Sequence, residues 1–222
     1  MLIALALVAV ALAPETARRP ERPRLRIQSL RVPPEVRGVF VPAAIAGFAG
    51  FSVLGLFTAI APAFMGEILE YSNHALTGAV VFLLFVASTL GQIGQARLPE
   101  RWRLPVGCVA LIMGIALVAW AIVATSLALL VAGALVAGIG QGVAFRAGMG
   151  AVTAASPAER RGEVASTFFV VLYVAISIPV VGIGVVADTI GLRVAGIDFS
   201  VAVAVLAAAA LVSLLARRRT AA

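Results

Sequence analysis

The sequence predicts an all-α membrane protein, a bundle of six transmembrane helices preceded by a short partial hydrophobic helix. Three observations lead there. Of the 222 residues, 62% are hydrophobic and only 12% charged. A soluble domain must cover its surface with polar groups and is about 45–50% apolar and about 25% charged. Six apolar runs are long enough to supply the ~20 residues that a helix needs to cross a hydrocarbon core of about 30 Å. The arginines outside those runs also alternate along the chain, as they do when one side of a membrane retains positive charge.

The six runs are 39–65, 75–94, 104–123, 127–153, 164–187 and 199–216. Helix is the expected state, because lipid offers no hydrogen-bond partner to a backbone amide. A membrane strand would show ~10-residue stretches of alternating polarity in series, and this chain has none. Residues 1–13 are apolar as well, but at about 1.5 Å per residue they reach only about 20 Å. Three readings fit them: a signal peptide ending at Ala11-Leu12-Ala13, a short inserted helix, or the tail of a helix that starts elsewhere. The signal peptide lacks a basic leader. It would also carry the arginine-rich segment that follows across the membrane, against the charge rule. The helix-tail reading is preferred.

Segment 14–38 holds Arg18, Arg19, Arg22, Arg24, Arg26, Arg31 and Arg37; segment 95–103 holds Arg97, Arg101 and Arg103; segment 154–163 holds Arg160 and Arg161; the tail holds Arg217, Arg218 and Arg219. The intervening segments 67–74 and 124–126 hold none, and 188–198 holds only Arg193. The positive-inside bias places 14–38 and the tail in the cytoplasm, and six spans with both ends inside agree in parity. The expected organisation is therefore a partial helix 1–13, a cytoplasmic linker 14–38, a bundle 39–216 and a cytoplasmic tail 217–222, in a cell (plasma or inner) membrane. Pro20, Pro23, Pro33 and Pro34 argue against a continuous helix through the linker.

Other function classes find little support. The net charge of +7 comes from arginines in short clusters between apolar runs, not from a soluble basic face, so nucleic acid is not an expected partner. A lone Cys108 forms no intramolecular disulfide and no multi-cysteine zinc site, and the single histidine, His74, lies beside an interhelix loop. No catalytic set, metal site or cofactor is expected, and the chain is not read as an enzyme. Gly138–Gly142 lacks the Lys-Ser/Thr of a phosphate-binding loop.

A few side chains stand out inside the runs. Arg146 is the one charged residue within them, and a charge near a bilayer centre costs at least about 2.5–3.5 kcal/mol on insertion scales. It is either a cavity residue for an anionic or polar group or an interfacial residue whose head snorkels to water. Gln141 and Gln92 offer amide hydrogen bonds, and Tyr173 and Ser177, four apart, share a helix face. All four are candidates for a substrate pathway or for interhelical glue. Gly138 and Gly142 allow another backbone to approach closely, as static packing or as a rocking contact. Pro179, Gly182 and Gly184 mark a weak point, either a fixed kink or a gating bend. Phe40, Phe48 and Phe51 fall within about one helix face.

Three stretches carry a family resemblance. Pro14-Glu15-Thr16 is followed by Arg18-Arg19. Gly138-Ile-Gly-Gln-Gly142 continues through Phe145-Arg146 to Ser156-Pro157-Ala-Glu-Arg160-Arg161-Gly162. Ser177-Ile-Pro179-Val-Val-Gly182-Ile-Gly184 ends in Ala187-Asp188-Thr-Ile-Gly191-Leu-Arg193. In their order and spacing these resemble the major facilitator superfamily. The resemblance implies that 1–13 ends the sixth helix of such a transporter and that the six runs are its seventh to twelfth, a C-terminal half of two three-helix repeats. It implies secondary active transport of a small molecule by alternating access, with efflux as one form, and an N-terminal half or a second copy as partner within the lipid bilayer. A non-transporting membrane scaffold or a non-functional gene fragment is the alternative. One departure is evident: the family's Gly-x-x-x-Asp-x-x-Gly-Arg loop reads Gly91-Gln-Ile-Gly94-Gln95-Ala-Arg97-Leu-Pro-Glu-Arg101 here, without the Asp.

Overall fold

The computed structural model describes residues 30–219 and, before them, positions 5, 8, 9 and 12. The expectations for 1–13, most of the linker and residues 220–222 fall outside the described residues. Among the described residues, six helices are long and apolar enough to cross a membrane. They are α1 (Pro34–Ala59), α2 (His74–Gly94), α3 (Glu100–Ala124), α4 (Leu127–Ala155), α5 (Arg161–Ile190) and α6 (Leu192–Arg219). After α1 the chain continues through a helical turn at Ala61–Ala63 and a π-helical turn at Phe64–Ile68.

The helices outrun the apolar runs, for physical reasons visible at each end. Pro34, one of the prolines that argue against a continuous helix through the linker, starts α1; at the first helical position its missing N–H has no partner to lose and its fixed φ suits the turn. Asn73 caps α2, accepting from the backbone N–H of Ala75 at 2.9 Å and Leu76 at 3.2 Å. Ser126 caps α4 through Leu129, directly after Thr125 has turned the chain in the left-handed conformation (φ 51°). The expected loop 188–198 contracts to Gly191, whose φ of 95° breaks the helix in a region that L side chains rarely adopt. Asp198 therefore rides on α6 as an exposed residue instead of closing a loop. Likewise α6 runs to Arg219, into the expected tail. Hydropathy marks where lipid ends, whereas caps and glycines mark where helix ends.

Each triplet of helices leans on the other: α2 packs on α4, α5 packs on α1, and α3 and α6 pack together. Helix α4 is the hub, touching α1, α2 and α3 extensively. Glycines make this possible. A β-carbon at Gly142 would collide with the Ser88 carbonyl, and one at Gly138 would lie 2.5 Å from the Leu84 carbonyl oxygen. On the α3 side, a β-carbon at Gly140 would lie 2.6 Å from the Leu111 nitrogen, and one at Gly107 would lie 2.8 Å from the Ala144 nitrogen. Between helices surrounded by lipid, such backbone approach supplies the van der Waals contact that hydrophobic burial cannot. Cys108 is fully buried in this packing.

The arginines sort by end. Arg31, Arg37 and Arg160 surround one pocket, and Arg217 packs against Gly38, so three separate segments bring their charges to the same end of the bundle. The exception, Arg193, has a structural role at the other end. Its guanidinium donates to the carbonyls of Ile122 (2.9 Å) and Val123 (3.5 Å) and to Thr125 Oγ1 (3.4 Å). It therefore satisfies carbonyls at the C-terminus of α3, where a helix dipole favours a cation.

Candidate functional site

Gln141 is the central residue of α4, with fourteen residues on either side in a helix of 29. It is 2% exposed. Its Oε1 accepts from Ser88 Oγ on α2 at 2.5 Å, and Gln92 Nε2, one turn further along α2, donates to Ser88 Oγ at 3.4 Å. A buried amide in an apolar bundle needs such partners. Room for it exists because residue 50 on α1 is glycine: a β-carbon there would lie 3.0 Å from Gln141 Cγ. The structure thus brings Gln141 and Gln92 together, with Ser88 as the link between them.

Next to this cluster runs a row of four rings. Phe51 on α1 lies 5.4 Å from Phe145 on α4, Phe145 lies 6.2 Å from Phe169 on α5, and Phe169 lies 6.4 Å from Tyr173. These spacings and tilts fall in the attractive range for aromatic pairs. Phe51 follows Gly50, and Phe145 stands one turn beyond Gln141, so amide cluster and rings occupy adjoining parts of one face. The row grows more open along its length: Phe51 and Phe145 are half-buried, Phe169 is 39% exposed and Tyr173 65%. Ser177 is exposed beside Tyr173, but its hydroxyl donates to the Tyr173 carbonyl at 3.1 Å. The three phenylalanines of α1 part company. Phe40 is buried edge-on against Phe168 at 6.0 Å, Phe48 lines an apolar groove with Val171 and Leu206, and only Phe51 joins the row.

Arg146 lies elsewhere. It is exposed and lines a pocket of about 400 Å³ with Gln95, Glu100 and Arg103, away from the ring row. Five residues past the midpoint of α4, it sits about 7.5 Å along the axis. Gln95, four residues after Gly91 where the family pattern has Asp, is 6% exposed, and its Oε1 has no hydrogen-bond partner. The other expected positions are on α5. That helix passes through Pro179 without interruption, and Gly182 and Gly184 have nothing within 4 Å of a notional β-carbon.

No site role was read from the sequence for Ser88, Phe145 or Phe169, although Phe145 belongs to the stretch that carries the family resemblance. Each stands one helical turn from a residue that was singled out, Ser88 before Gln92, Phe169 before Tyr173 and Phe145 after Gln141, and so shares its face.

Six membrane-length helices, a glycine-packed hub and a polar cluster at mid-span describe a bundle built around an internal surface. The sequence matches the family model of the Major Facilitator Superfamily over residues 1–180. The chain belongs to that superfamily. None of the curated proteins compared with it matches. Membership makes this a multi-pass membrane protein of a family of transporters. In this facilitator bundle, the face built from α1, α4 and α5 next to the α2 cluster is the candidate site.

Proposed function

We propose that this chain is the C-terminal half of a secondary transporter that moves a small molecule by alternating access, with the amide cluster and ring row as one wall of the pathway. The observation that carries the reading is the depth of that face. Gln141 lies at the centre of its helix, and polar groups at mid-membrane depth cost free energy unless they serve packing or a ligand. Sites between rocking bundles lie at this depth. An N-terminal half or a second copy of the chain supplies the opposite wall. The arginine-rich end faces the cytoplasm of a plasma or inner membrane, which puts the linker and C-terminus inside. Efflux is the direction we favour, since an aromatic wall can take up a solute already dissolved in lipid.

The test is uptake by proteoliposomes holding this chain alone, or together with a six-helix N-terminal half. Uptake by the chain alone supports pairing of two copies, and uptake only with the added half supports a two-part transporter. Uptake in neither, with both proteins folded, overturns the transport reading.

A further inference from the structure

We infer that the transported molecule is an uncharged aromatic compound bearing a hydrogen-bond acceptor. Its ring lies against Phe51, Phe145 and Phe169, and its acceptor meets the amide of Gln141. This rests on the transport reading above and names the substrate class of that same face.

What Gln141 has left to offer sets the polar chemistry of the site. A glutamine amide has an oxygen with two lone pairs and an NH₂ group with two donor hydrogens. The Ser88 hydroxyl takes one lone pair of the oxygen, and the NH₂ group donates to no other described residue. Both donor hydrogens are unspent, so the larger free capacity at mid-span is that of a donor, which selects a carbonyl, ether or similar acceptor. A site built to donate also rejects analogues that lack the acceptor, because its polar group would be left unpaired.

The rings decide the rest of the molecule. Phe51 and Phe145 are at contact distance, Phe145 one turn beyond Gln141 and Phe51 next to the Gly50 that packs on it, so a planar ring placed there meets aromatic edges and faces. Charge is disfavoured in both signs. Among the described residues, the acids on α1 and α5 lie near helix ends, Glu35 on α1 and Glu163 and Asp188 on α5, and α2 and α4 carry none. A cation on this face would have ring quadrupoles but no carboxylate. An anion would need Arg146, which lines a separate pocket with Gln95, Glu100 and Arg103.

The test uses the full chain in lipid nanodiscs, with empty nanodiscs subtracted, and four probes of one shape: 2-naphthamide, 2-naphthoate, (2-naphthylmethyl)trimethylammonium and decahydronaphthalene-2-carboxamide. Equilibrium dialysis should show the naphthamide binding about tenfold or more tighter than each of the others. Gln141→Leu should weaken it about tenfold, and Phe169→Ala about threefold. Phe169 is 39% exposed, so its variant keeps the fold even where the Gln141 variant does not. Equal or tighter binding of a charged or non-aromatic probe overturns the proposal. So does binding of naphthamide that is indifferent to Phe169→Ala, or no binding at all. The two readings fail separately. Naphthamide bound but never carried in the proteoliposome assay sinks transport and leaves the site, whereas a charged solute carried without naphthamide binding sinks the substrate class and leaves transport.

Discussion

Helices α4 and α5 are both long, apolar and rich in glycine, yet they use their glycines in opposite ways. Over its most apolar stretch α4 is 56% buried, and α5 only 17%. Gly138, Gly140 and Gly142 press against the backbones of α2 and α3. Gly182 and Gly184 on α5 meet nothing. Where α5 does pack closely, the glycine belongs to its partner: a β-carbon at Gly55 of α1 would lie 2.9 Å from the Ile176 carbonyl oxygen. A glycine-rich helix is therefore not one kind of object. On α4 the small residues close the bundle, Gly138 and Gly142 against α2 and Gly140 against α3, whereas on α5 Gly182 and Gly184, two residues apart and so on opposite sides of the helix, leave open space.

Four substitutions break or sharpen that contrast, each read as a change in unfolding free energy of the isolated chain in detergent. The largest effect belongs to Gly142→Leu, whose side chain must displace the Ser88 backbone; a loss of about 3 kcal/mol or more is expected, at or beyond the upper end of ordinary overpacking. A neutral result would mean that α2 and α4 are not held at this distance. Next is Arg193→Ala, which frees carbonyls at the end of α3. Hydrogen bonds to charged groups are worth about 1.5–3 kcal/mol, but this guanidinium is exposed, so about 1 kcal/mol is expected. Ser88→Ala should cost about 0.6 kcal/mol, the average for a hydrogen bond between membrane helices; a much larger loss would show that Ser88 organises the whole amide cluster. Smallest is Gly182→Leu, expected within about 0.5 kcal/mol because it meets open space. The same variant should impair transport by the assembled protein if the Gly182 side of α5 faces a partner bundle. A large stability loss in the isolated chain would instead show that α5 is already covered.

The reach of sequence reasoning can be followed residue by residue. Six helices were legible because lipid imposes one length and one backbone solution on every span. Their ends were not, because Pro34 at a first turn and Gly191 at positive φ are local backbone events to which hydropathy is blind. The arginine alternation was legible down to its exception, but the reason for that exception was not. Arg193 is kept at the far end by the carbonyls of Ile122 and Val123, some seventy residues earlier in the chain. In the candidate site, Gln141, Gln92 and Tyr173 stood out as polar residues in apolar runs. Phe145 and Phe169 did not, since an aromatic in a membrane helix is unremarkable until its neighbours are known.

By itself the sequence determined that this protein lives in a bilayer, how many times its described part crosses, and which ends carry the charge. Those properties follow from transfer free energies, which add up residue by residue along the chain. Only the tertiary structure decided which glycines touch backbone, that Ser88 and Gln141 meet across two helices, and that Arg146 lines a pocket separate from the rings. Such facts depend on the rotation of one helix against another, and packing between whole surfaces sets that rotation.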